Sequence, residues 1–302
     1  MEKCPICKSS YRLPLVTVKK LAIVKCNSCG LTFTKLPARH DAEKFNRYYY
    51  SRAYLSSYES RKDVLAKRFL RRLRDIEEIK NGGNLLDVGC STGLFLRTVR
   101  ENSTNQWKLF GIDINRESIK FVKTKVKASL FRASLHDRRF RENFFDCVTC
   151  FDVLEHDKDI KGSIKELYRI LKPEGLLVIQ APNYKSAMAY LCGQNWDWWS
   201  VPDHVLHFIP PVLSKILEDN GFMIKRLFTW EPEKDFVENL RGTIKKKVTM
   251  FGGLNRILSK LSVVPLYVLW FILLVVEKQF NVGGLIVVYA VKNKVIPKRN
   301  YT

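Results

Sequence analysis

The sequence predicts an α/β fold in which a mostly parallel β-sheet carries helices on both faces, preceded by a small metal-binding ribbon. Three observations support this prediction. From residue 84 onward, short apolar runs alternate with stretches whose apolar residues recur at helical spacing. The first 38 residues contain two cysteine pairs and too few apolar residues for a separate core. The whole chain, with 302 residues of which 46% are hydrophobic, is long enough for a substantial core.

The first element is the cysteine-rich ribbon. Cys4 and Cys7 form one Cys-x-x-Cys pair, and Cys26 and Cys29 form another after eighteen intervening residues. The amino terminus has no apolar signal region, so we expect a cytoplasmic protein, in which paired cysteines indicate metal binding before disulfides. The spacing predicts a structural Zn²⁺ held by four thiolates, which leave no open position for catalysis. Disulfides or coincidence are the alternatives.

The remaining elements follow in a regular order. A helical stretch is predicted within 41–79, where apolar residues recur at spacings of three and four from Leu65 to Ile76. Strands are predicted at 84–88, 108–113, 129–133, 145–151, 175–181, 222–229 and 284–291. Helices are predicted at 93–101, 115–127, 160–171 and 211–220.

The net charge of +22 favours anionic partners, such as nucleic acid, acidic lipid or phosphorylated compounds. The excess is uneven, with +11 in residues 1–80, +4 in 81–230 and +7 in 231–302. A nearly balanced middle with basic ends indicates a core domain whose attachments face something negative. The charge alone does not select the partner.

The turn after the first strand of the sheet carries the sharpest functional motif. A buried strand ends at Asp87 and enters a turn that opens a helix, with the sequence Asp87-Val-Gly89-Cys90-Ser91-Thr92-Gly93. Such a turn brings a nucleotide close to backbone N–H groups. The next strand ends in Asp113, a carboxylate suited to ribose hydroxyls. Asp87 would repel a pyrophosphate and favours a ligand with cationic groups.

This combination resembles the class I S-adenosylmethionine-dependent methyltransferases, in the branch that contains ubiquinone-biosynthesis methyltransferases and zinc-ribbon sugar C-methyltransferases. The resemblance continues in Asn143–His156, in Leu171–Ile179 and in His204–Phe208. It covers about 84–230 and adds 284–291 as an antiparallel seventh strand. The resemblance therefore implies a Rossmann-like seven-stranded methyltransferase sheet, with S-adenosylmethionine as the cofactor.

The resemblance also implies roles for individual residues. Asp87 and the loop from Gly89 to Gly93 would hold the methionine part, and Asp113 would bind the ribose. Ile114 would pack on the adenine, which Ser134 and Leu135 would border. Phe151 and Asp152 would border the site of methyl transfer. For each residue alone, a sheet-end turn or a helix cap is the structural alternative.

His204 and His207 are the candidate catalytic residues. They lie between the fifth strand of the sheet and the next helix, a region that meets the ligand edge of open α/β sheets. A histidine with a pKa near neutrality could act as the general base for an acceptor hydroxyl or C–H. The alternative is a methyltransferase that works by orientation alone.

The predicted domains are a zinc ribbon over 1–38, a helical linker over 39–80, a methyltransferase domain over 81–230 plus 283–293, and a helical insertion over 231–282. Basic residues from 241 and the uncharged run 261–276 predict an interfacial helix on an anionic membrane, with a buried insertion or a dimer contact as alternatives.

The predicted function is methyl transfer to a small-molecule acceptor, either a sugar nucleotide, a lipid-linked glycan precursor or a quinone-like ring. An RNA methyltransferase is the first alternative, because a charge of +22 suits RNA. A non-catalytic scaffold with a cofactor fold is another. A nicotinamide dehydrogenase fits poorly, because Asp87 is unfavourable and a third glycine is missing.

Overall fold

A computed structural model of the chain describes residues 3–36, 56, 58–250 and 280–294. Its strands are β1 Arg12–Val18, β2 Leu21–Cys26, β3 Thr32–Thr34, β4 Gly82–Val88, β5 Gln106–Asp113, β6 Ser129–Arg132, β7 Phe145–Phe151, β8 Leu171–Pro182, β9 Leu206–His207, β10 Phe222–Trp230 and β11 Leu285–Lys292. The α-helices in these ranges include α1 Lys62–Glu77, α2 Leu94–Asn102, α3 Arg116–Lys123, α4 Ile160–Ile170, α5 Ala187–Cys192, α6 Pro210–Asp219 and α7 Glu233–Met250.

The central sheet has seven strands in the order β10-β11-β8-β7-β4-β5-β6. The strands from β6 to β8 are parallel, whereas β11 pairs antiparallel with both β8 and β10. The chain order reverses between β4 and β7, which creates a crevice at the carboxyl ends of these strands. The predicted fold class, including the antiparallel seventh strand, is confirmed.

The two faces of the sheet pack against separate apolar clusters. Cys147 lies in the cluster that also contains residues of α1 and α2, whereas Cys150 lies in the cluster under α4 and α6. Both thiols are buried and free of disulfides. Their separation follows from the alternation of side chains along a strand, so this pair is a core feature and not a metal knuckle.

The ribbon is joined to the central domain by a strand and by a core. β9 pairs antiparallel with β3, which completes a four-stranded sheet in the order β1-β2-β3-β9. Leu31 and Phe33 of the ribbon lie in the same buried cluster as Leu206 and Phe208. The first 36 residues therefore share both a sheet and a core with the rest of the chain, whereas the predicted boundary at residue 38 lies outside the described residues.

Within the described ranges, no helix is long and apolar enough to cross a membrane. The predicted interfacial run 261–276 and residues 39–55 of the predicted linker lie outside the described residues. The first half of the predicted insertion corresponds to α7.

Candidate functional site

A cavity of about 430 Å³ lies at the carboxyl edge of the central sheet. Its wall comes from the ends of β4, β5 and β7, the turn after β6, the short helical turn Leu154–His156 and the loop 202–205. The position matches the crevice that the strand order predicts.

At two positions, the turn after β4 has a backbone conformation that only glycine adopts easily. Gly89 and Gly93 have φ values of 67° and 70°, and Ser91 between them has a φ of 46°. A Cβ atom on Gly89 would lie 2.5 Å from Cγ2 of Val153, which also lines the cavity. Gly93 is the N-cap residue of α2. The glycines thus fix how closely the backbone approaches the cavity.

Gly89→Ala is expected to weaken cofactor binding at least tenfold, because the methyl group must displace Val153 into the cavity. Equilibrium unfolding together with calorimetric titration of S-adenosylmethionine measures both effects. Gly193→Ala is the matched control: it has a φ of 55° but nothing within 4 Å of its Cβ position, so it carries backbone strain without the clash. Equal affinities for the two variants would contradict this role of Gly89.

Asp113 is locked in place at the end of β5. Its carboxylate accepts hydrogen bonds from the backbone N–H of Ser91 at 2.8 Å and from that of Asn115 at 2.7 Å. Burial raises the pKa of Asp113, while these two hydrogen bonds oppose the rise. The Asn115 side chain caps α3, so the turn that presents Asp113 is itself fixed. Asp113 lines the cavity, as a ribose-binding carboxylate must.

Asp87 is buried at the end of β4 and does not line this cavity. Its Oδ1 accepts a hydrogen bond of 2.7 Å from the hydroxyl of Thr149 on the neighbouring strand β7. Burial raises the pKa of Asp87 to about 7. A cation close to Asp87 would lower this pKa and favour the ionised carboxylate, because the positive charge offsets the cost of burying a negative one.

The structure brings most of the predicted cofactor residues to the cavity, but not all. Those that line it are Gly89, Ser91, Asp113, Ile114, Ser134, Leu135 and Asp152. Those that do not are Asp87, Cys90, Thr92, Gly93 and Phe151. The ring of Phe151 instead packs at 5.5 Å from that of Phe69 and at 5.0 Å from that of Phe95, between their centroids. The predicted place of Phe151 beside methyl transfer is not supported.

Asp152 stands at the other end of the cavity, just past β7, in a left-handed conformation with a φ of 56°. Gln180 donates a hydrogen bond of 3.0 Å to its Oδ2, while Oδ1 is buried without a hydrogen-bond partner among the described residues. Burial raises the pKa of Asp152 to about 6, and the nearby charge of Arg68 opposes the rise. Unusual backbone and an unsatisfied buried oxygen are features of a ligand-binding position.

The predicted catalytic histidines do not line the cavity. The Nε2 atom of His207 lies 2.9 Å from the Thr34 hydroxyl of the ribbon, and burial lowers the pKa of His207 to about 3. The Nδ1 atom of His204 lies 2.8 Å from the carbonyl oxygen of Trp198, and burial also lowers the pKa of His204. Both histidines hold the loop between the ribbon and the sheet. The geometry therefore does not support either as a general base.

Two other residues of this region do line the cavity. Asp203 has a buried Oδ1 without a hydrogen-bond partner among the described residues, and burial raises its pKa to about 7. The Nδ1 atom of His156 lies 3.0 Å from the carbonyl oxygen of Asp203, and burial lowers the pKa of His156. Asp203 directly precedes His204 in sequence, so the predicted motif contributes to the cavity through a neighbouring residue.

Glu155, His156 and His204 also approach one another, with potential ligand atoms within 4.8 Å. Glu155 is buried, and burial raises its pKa strongly, which favours the neutral carboxyl. The rings of His156 and His204 pack edge to face with centroids 4.8 Å apart. Both side-chain oxygens of Glu155 are buried without a hydrogen-bond partner among the described residues.

The four ribbon cysteines converge on one point. Sγ of Cys4 lies 3.5 Å from Sγ of Cys29, and Sγ of Cys7 lies 3.4 Å from Sγ of Cys26. All four sulfur atoms lie within 4.8 Å of one another, and the thiols are free of disulfides. Thiolates in a tetrahedral zinc site are about 3.8 Å apart, since each Zn–S bond is about 2.3 Å. The donor set and its spacing fit Zn²⁺.

The strand order and the position of the cavity define the fold of a class I S-adenosylmethionine-dependent methyltransferase. The family model for a methyltransferase domain matches residues 58–227, more than half of the chain, so the chain belongs to this methyltransferase family. The matched region is therefore a methyltransferase domain.

Curated relatives of the chain are also methyltransferases by name. The chain is 28% identical over 167 residues to the ubiquinone biosynthesis O-methyltransferase of Rickettsia prowazekii, covering 50% of this chain and 66% of that enzyme. It is 30% identical over 104 residues to the ubiquinone/menaquinone biosynthesis C-methyltransferase UbiE of Geotalea daltonii, covering 32% of this chain and 44% of that enzyme. In both cases the chain spans less than two thirds of the relative.

Solved structures share the fold. A SAM-dependent methyltransferase from Archaeoglobus fulgidus aligns with a TM-score of 0.54 and 21% identity, over 80% of this chain and 100% of that chain. A chain from a complex between the Haloferax volcanii Trm112 methyltransferase activator and a methyltransferase aligns with a TM-score of 0.56 and 15% identity, over 82% of this chain and 96% of that chain.

Proposed function

We propose that this methyltransferase transfers a methyl group to a small-molecule acceptor: a sugar nucleotide, a lipid-linked glycan precursor or a quinone-like ring. One observation carries the choice of a small molecule. The described cavity wall contains four aspartates, Asp113, Asp152, Asp157 and Asp203, against a single lysine, Lys158. A site with this excess of carboxylates repels phosphate groups, because like charges raise the energy of the complex. It therefore disfavours the polyanionic backbone of RNA most and, among the three small molecules, favours the quinone-like ring, which carries no phosphate.

RNA is the alternative acceptor, supported by the net charge of +22. The excess of basic over acidic residues, however, lies mainly in the terminal parts of the chain, with +11 in residues 1–80 and +7 in 231–302, against +4 in 81–230, which contain most of the cavity wall. Mass spectrometry of extracts incubated with the enzyme and labelled S-adenosylmethionine separates the two cases. A labelled small molecule supports the proposal, whereas label confined to RNA would overturn it.

Different residues would bind the uncharged and the cationic parts of the cofactor. S-adenosylmethionine, when bound, supplies a methyl group on a sulfonium sulfur that is open to in-line attack. Asp113 would accept hydrogen bonds from the ribose hydroxyls, and Ile114, Ser134 and Leu135 would border the adenine. The Ser91 hydroxyl is buried without a hydrogen-bond partner among the described residues, so it is available to the methionine part. Asp87, which is buried where the turn begins, would stabilise the cationic groups of the cofactor by its negative charge.

Asp203 is our proposed general base. It lines the same cavity as Asp113, and its pKa of about 7 suits proton abstraction near neutrality. His156 would hold the loop that carries Asp203, since its Nδ1–H donates to the Asp203 carbonyl oxygen. Asp152 would receive a hydrogen bond from the acceptor through its unsatisfied Oδ1. The protein thus aligns the acceptor and removes one proton.

The rate constant kcat/KM is expected to rise with pH through about 7 and then level off, because Asp203 must be deprotonated to act as a base. Asp203→Asn should lower kcat by roughly 10²–10⁴-fold and remove this inflection. Asp157→Asn, which changes another carboxylate of the cavity wall, should keep it. If the inflection survives in Asp203→Asn and disappears in Asp152→Asn, the base is Asp152 and our assignment is wrong.

We also propose that Cys4, Cys7, Cys26 and Cys29 hold one structural Zn²⁺. The converging sulfur atoms support this, as does the small size of the ribbon, which needs a metal to compensate for its limited core. Four thiolates leave no position for a substrate, so the metal would stabilise the fold and take no part in methyl transfer.

A further inference from the structure

The outer strand of the ribbon carries large apolar side chains that face solvent. β1 is the edge strand of its sheet in the described part of the chain. Tyr11, Leu13 and Leu15 are 68%, 54% and 45% exposed. Tyr11 directly precedes β1, and Leu15 lies where the pairing of β1 with β2 shifts register, between Pro14 and Val16. The three exposed side chains are close neighbours along this edge, and we call them the apolar stripe. An exposed apolar stripe on an edge strand is costly unless something covers it.

The ribbon around this stripe is strongly basic. Residues 3–36 contain seven basic residues and no acidic one: Lys3, Lys8, Arg12, Lys19, Lys20, Lys25 and Lys35. All of these side chains are partly or fully exposed. The ribbon that carries the apolar stripe is therefore cationic, and its charge complements an anionic surface.

A second exposed apolar pair lies beside the ribbon. Tyr190 and Leu191 of α5 are 88% and 49% exposed. β1 contacts the short helical turn Gly193–Asn195 that follows α5, and Val18 of β1 shares a buried cluster with Met188 of α5. The exposed residues of β1 and α5 thus belong to one part of the molecule, which we call the β1–α5 surface.

The path of the chain links this surface to a further apolar sequence. α7 packs against α5, and the backbone N–H of Ala187 in α5 donates a 2.9 Å hydrogen bond to the carbonyl oxygen of Val282. The sequence that connects α7 to Val282 includes the uncharged run 261–276. Val282, which follows that sequence, therefore contacts α5.

We propose that the β1–α5 surface docks on an anionic lipid bilayer, with its apolar side chains at the level of the headgroups and its lysines and arginine against acidic lipids. Apolar insertion combined with basic residues is how proteins bind a membrane interface without crossing it. Single-stranded RNA is a weaker match, because it binds by stacking on aromatic rings, whereas two of the three stripe residues are leucines. The inference is independent of the acceptor and of the proposed base.

Co-sedimentation of the full-length, zinc-loaded protein with vesicles of phosphatidylcholine and phosphatidylglycerol tests the inference. Pure phosphatidylcholine vesicles are the comparison. The wild type should bind the anionic vesicles, and Leu13→Thr/Leu15→Thr should lower the partition coefficient at least about tenfold, because two leucine side chains no longer leave water. Met223→Thr is the matched control, since Met223 is also exposed on an edge strand but lies in the other sheet. Unchanged S-adenosylmethionine affinity verifies that each variant is folded.

Hydrogen exchange with and without anionic vesicles locates the contact within the same protein. The peptide covering 10–20 should exchange more slowly on vesicles, while the peptide covering 222–230 should not change. The proposal is overturned if the wild type ignores anionic vesicles, if the double variant binds as well as the wild type, or if 10–20 gains no protection. Tight binding to structured RNA without vesicle binding would also overturn it, and would identify RNA as the anionic partner.

Discussion

Cys26→Ser is expected to abolish zinc binding, to lower the Tm by at least about 10 °C and to weaken S-adenosylmethionine binding about tenfold. Cys26 is fully buried, with its sulfur 3.4 Å from that of Cys7, so the serine oxygen leaves one of the four ligand positions unfilled. Zinc contributes about 10–16 kcal/mol to folded zinc-finger peptides, so losing even a quarter of such an energy gives the stated Tm shift. Metal analysis, thermal unfolding and calorimetry measure the three effects.

The effect on the cofactor follows from the contacts between ribbon and cavity. The backbone N–H of Thr34 donates to the carbonyl oxygen of Val205 at 2.9 Å, and the Thr34 hydroxyl donates to that of His204 at 3.0 Å. Val205 lines the cavity, and its own N–H donates to the carbonyl oxygen of Glu155 at 2.8 Å. If loss of zinc disorders the ribbon, Val205 loses its hydrogen bond to Thr34, and one wall of the cofactor cavity is no longer held in place.

Cys147→Ala is the matched control for this prediction, since Cys147 is also a fully buried thiol but lies in the central sheet. It should keep one zinc per chain and lose only the stability of a small core cavity. Full zinc retention by Cys26→Ser would show that the ribbon is not a zinc site. Loss of zinc with unchanged cofactor affinity would instead show that ribbon and cavity are uncoupled.

Asp113→Ala is expected to weaken S-adenosylmethionine binding roughly tenfold to a hundredfold. The variant loses a charge-assisted hydrogen bond to the ribose, worth about 1.5–3 kcal/mol, and also releases the N–H groups of Ser91 and Asn115. Both effects act at the cofactor end of the cavity. Isothermal titration with S-adenosylmethionine measures the change directly.

Asp146→Ala is the comparison for Asp113, because Asp146 also holds a backbone N–H, that of Asn84, at 2.8 Å. It lies near the amino end of β7, at the opposite edge of the sheet, and pairs with Lys172. This variant should lose stability but bind the cofactor normally. If Asp113→Ala binds as tightly as the wild type, the ribose lies elsewhere.

The central sheet was predictable from the sequence because its strands are buried on both faces and read as apolar runs. All seven predicted strands are present; 145–151 matches at both ends, and no end of the others is shifted by more than four residues. The largest shift is in β8, which begins at Leu171, because the chain pairs with β7 already before Pro173 and resumes after an irregularity. Asp113 and the glycine turn were predictable because strand ends of a parallel sheet share one edge.

The catalytic end was less predictable, because it depends on contacts between residues far apart in sequence. His207 pairs across 173 residues with Thr34, and a lone sequence gives no sign of this partner. Phe151 ends its strand as predicted, yet its ring packs on Phe69 of α1 and not in the cavity. The two-residue strand β9 is too short to show an apolar pattern, so the sequence does not reveal that this strand joins the ribbon to the central domain.

The most direct test of the cofactor site is hydrogen exchange of the zinc-loaded protein with and without saturating S-adenosylmethionine. Our account predicts slower exchange in peptides that cover the turn after β4, the residues around Asp113, the turn after β6 and the segment from Asp152 to Asp157, all of which border one cavity. Peptides at the opposite edge of the sheet, around Asp146 and Lys172, should not change. Protection confined to other parts of the chain, or none at all, would contradict the account.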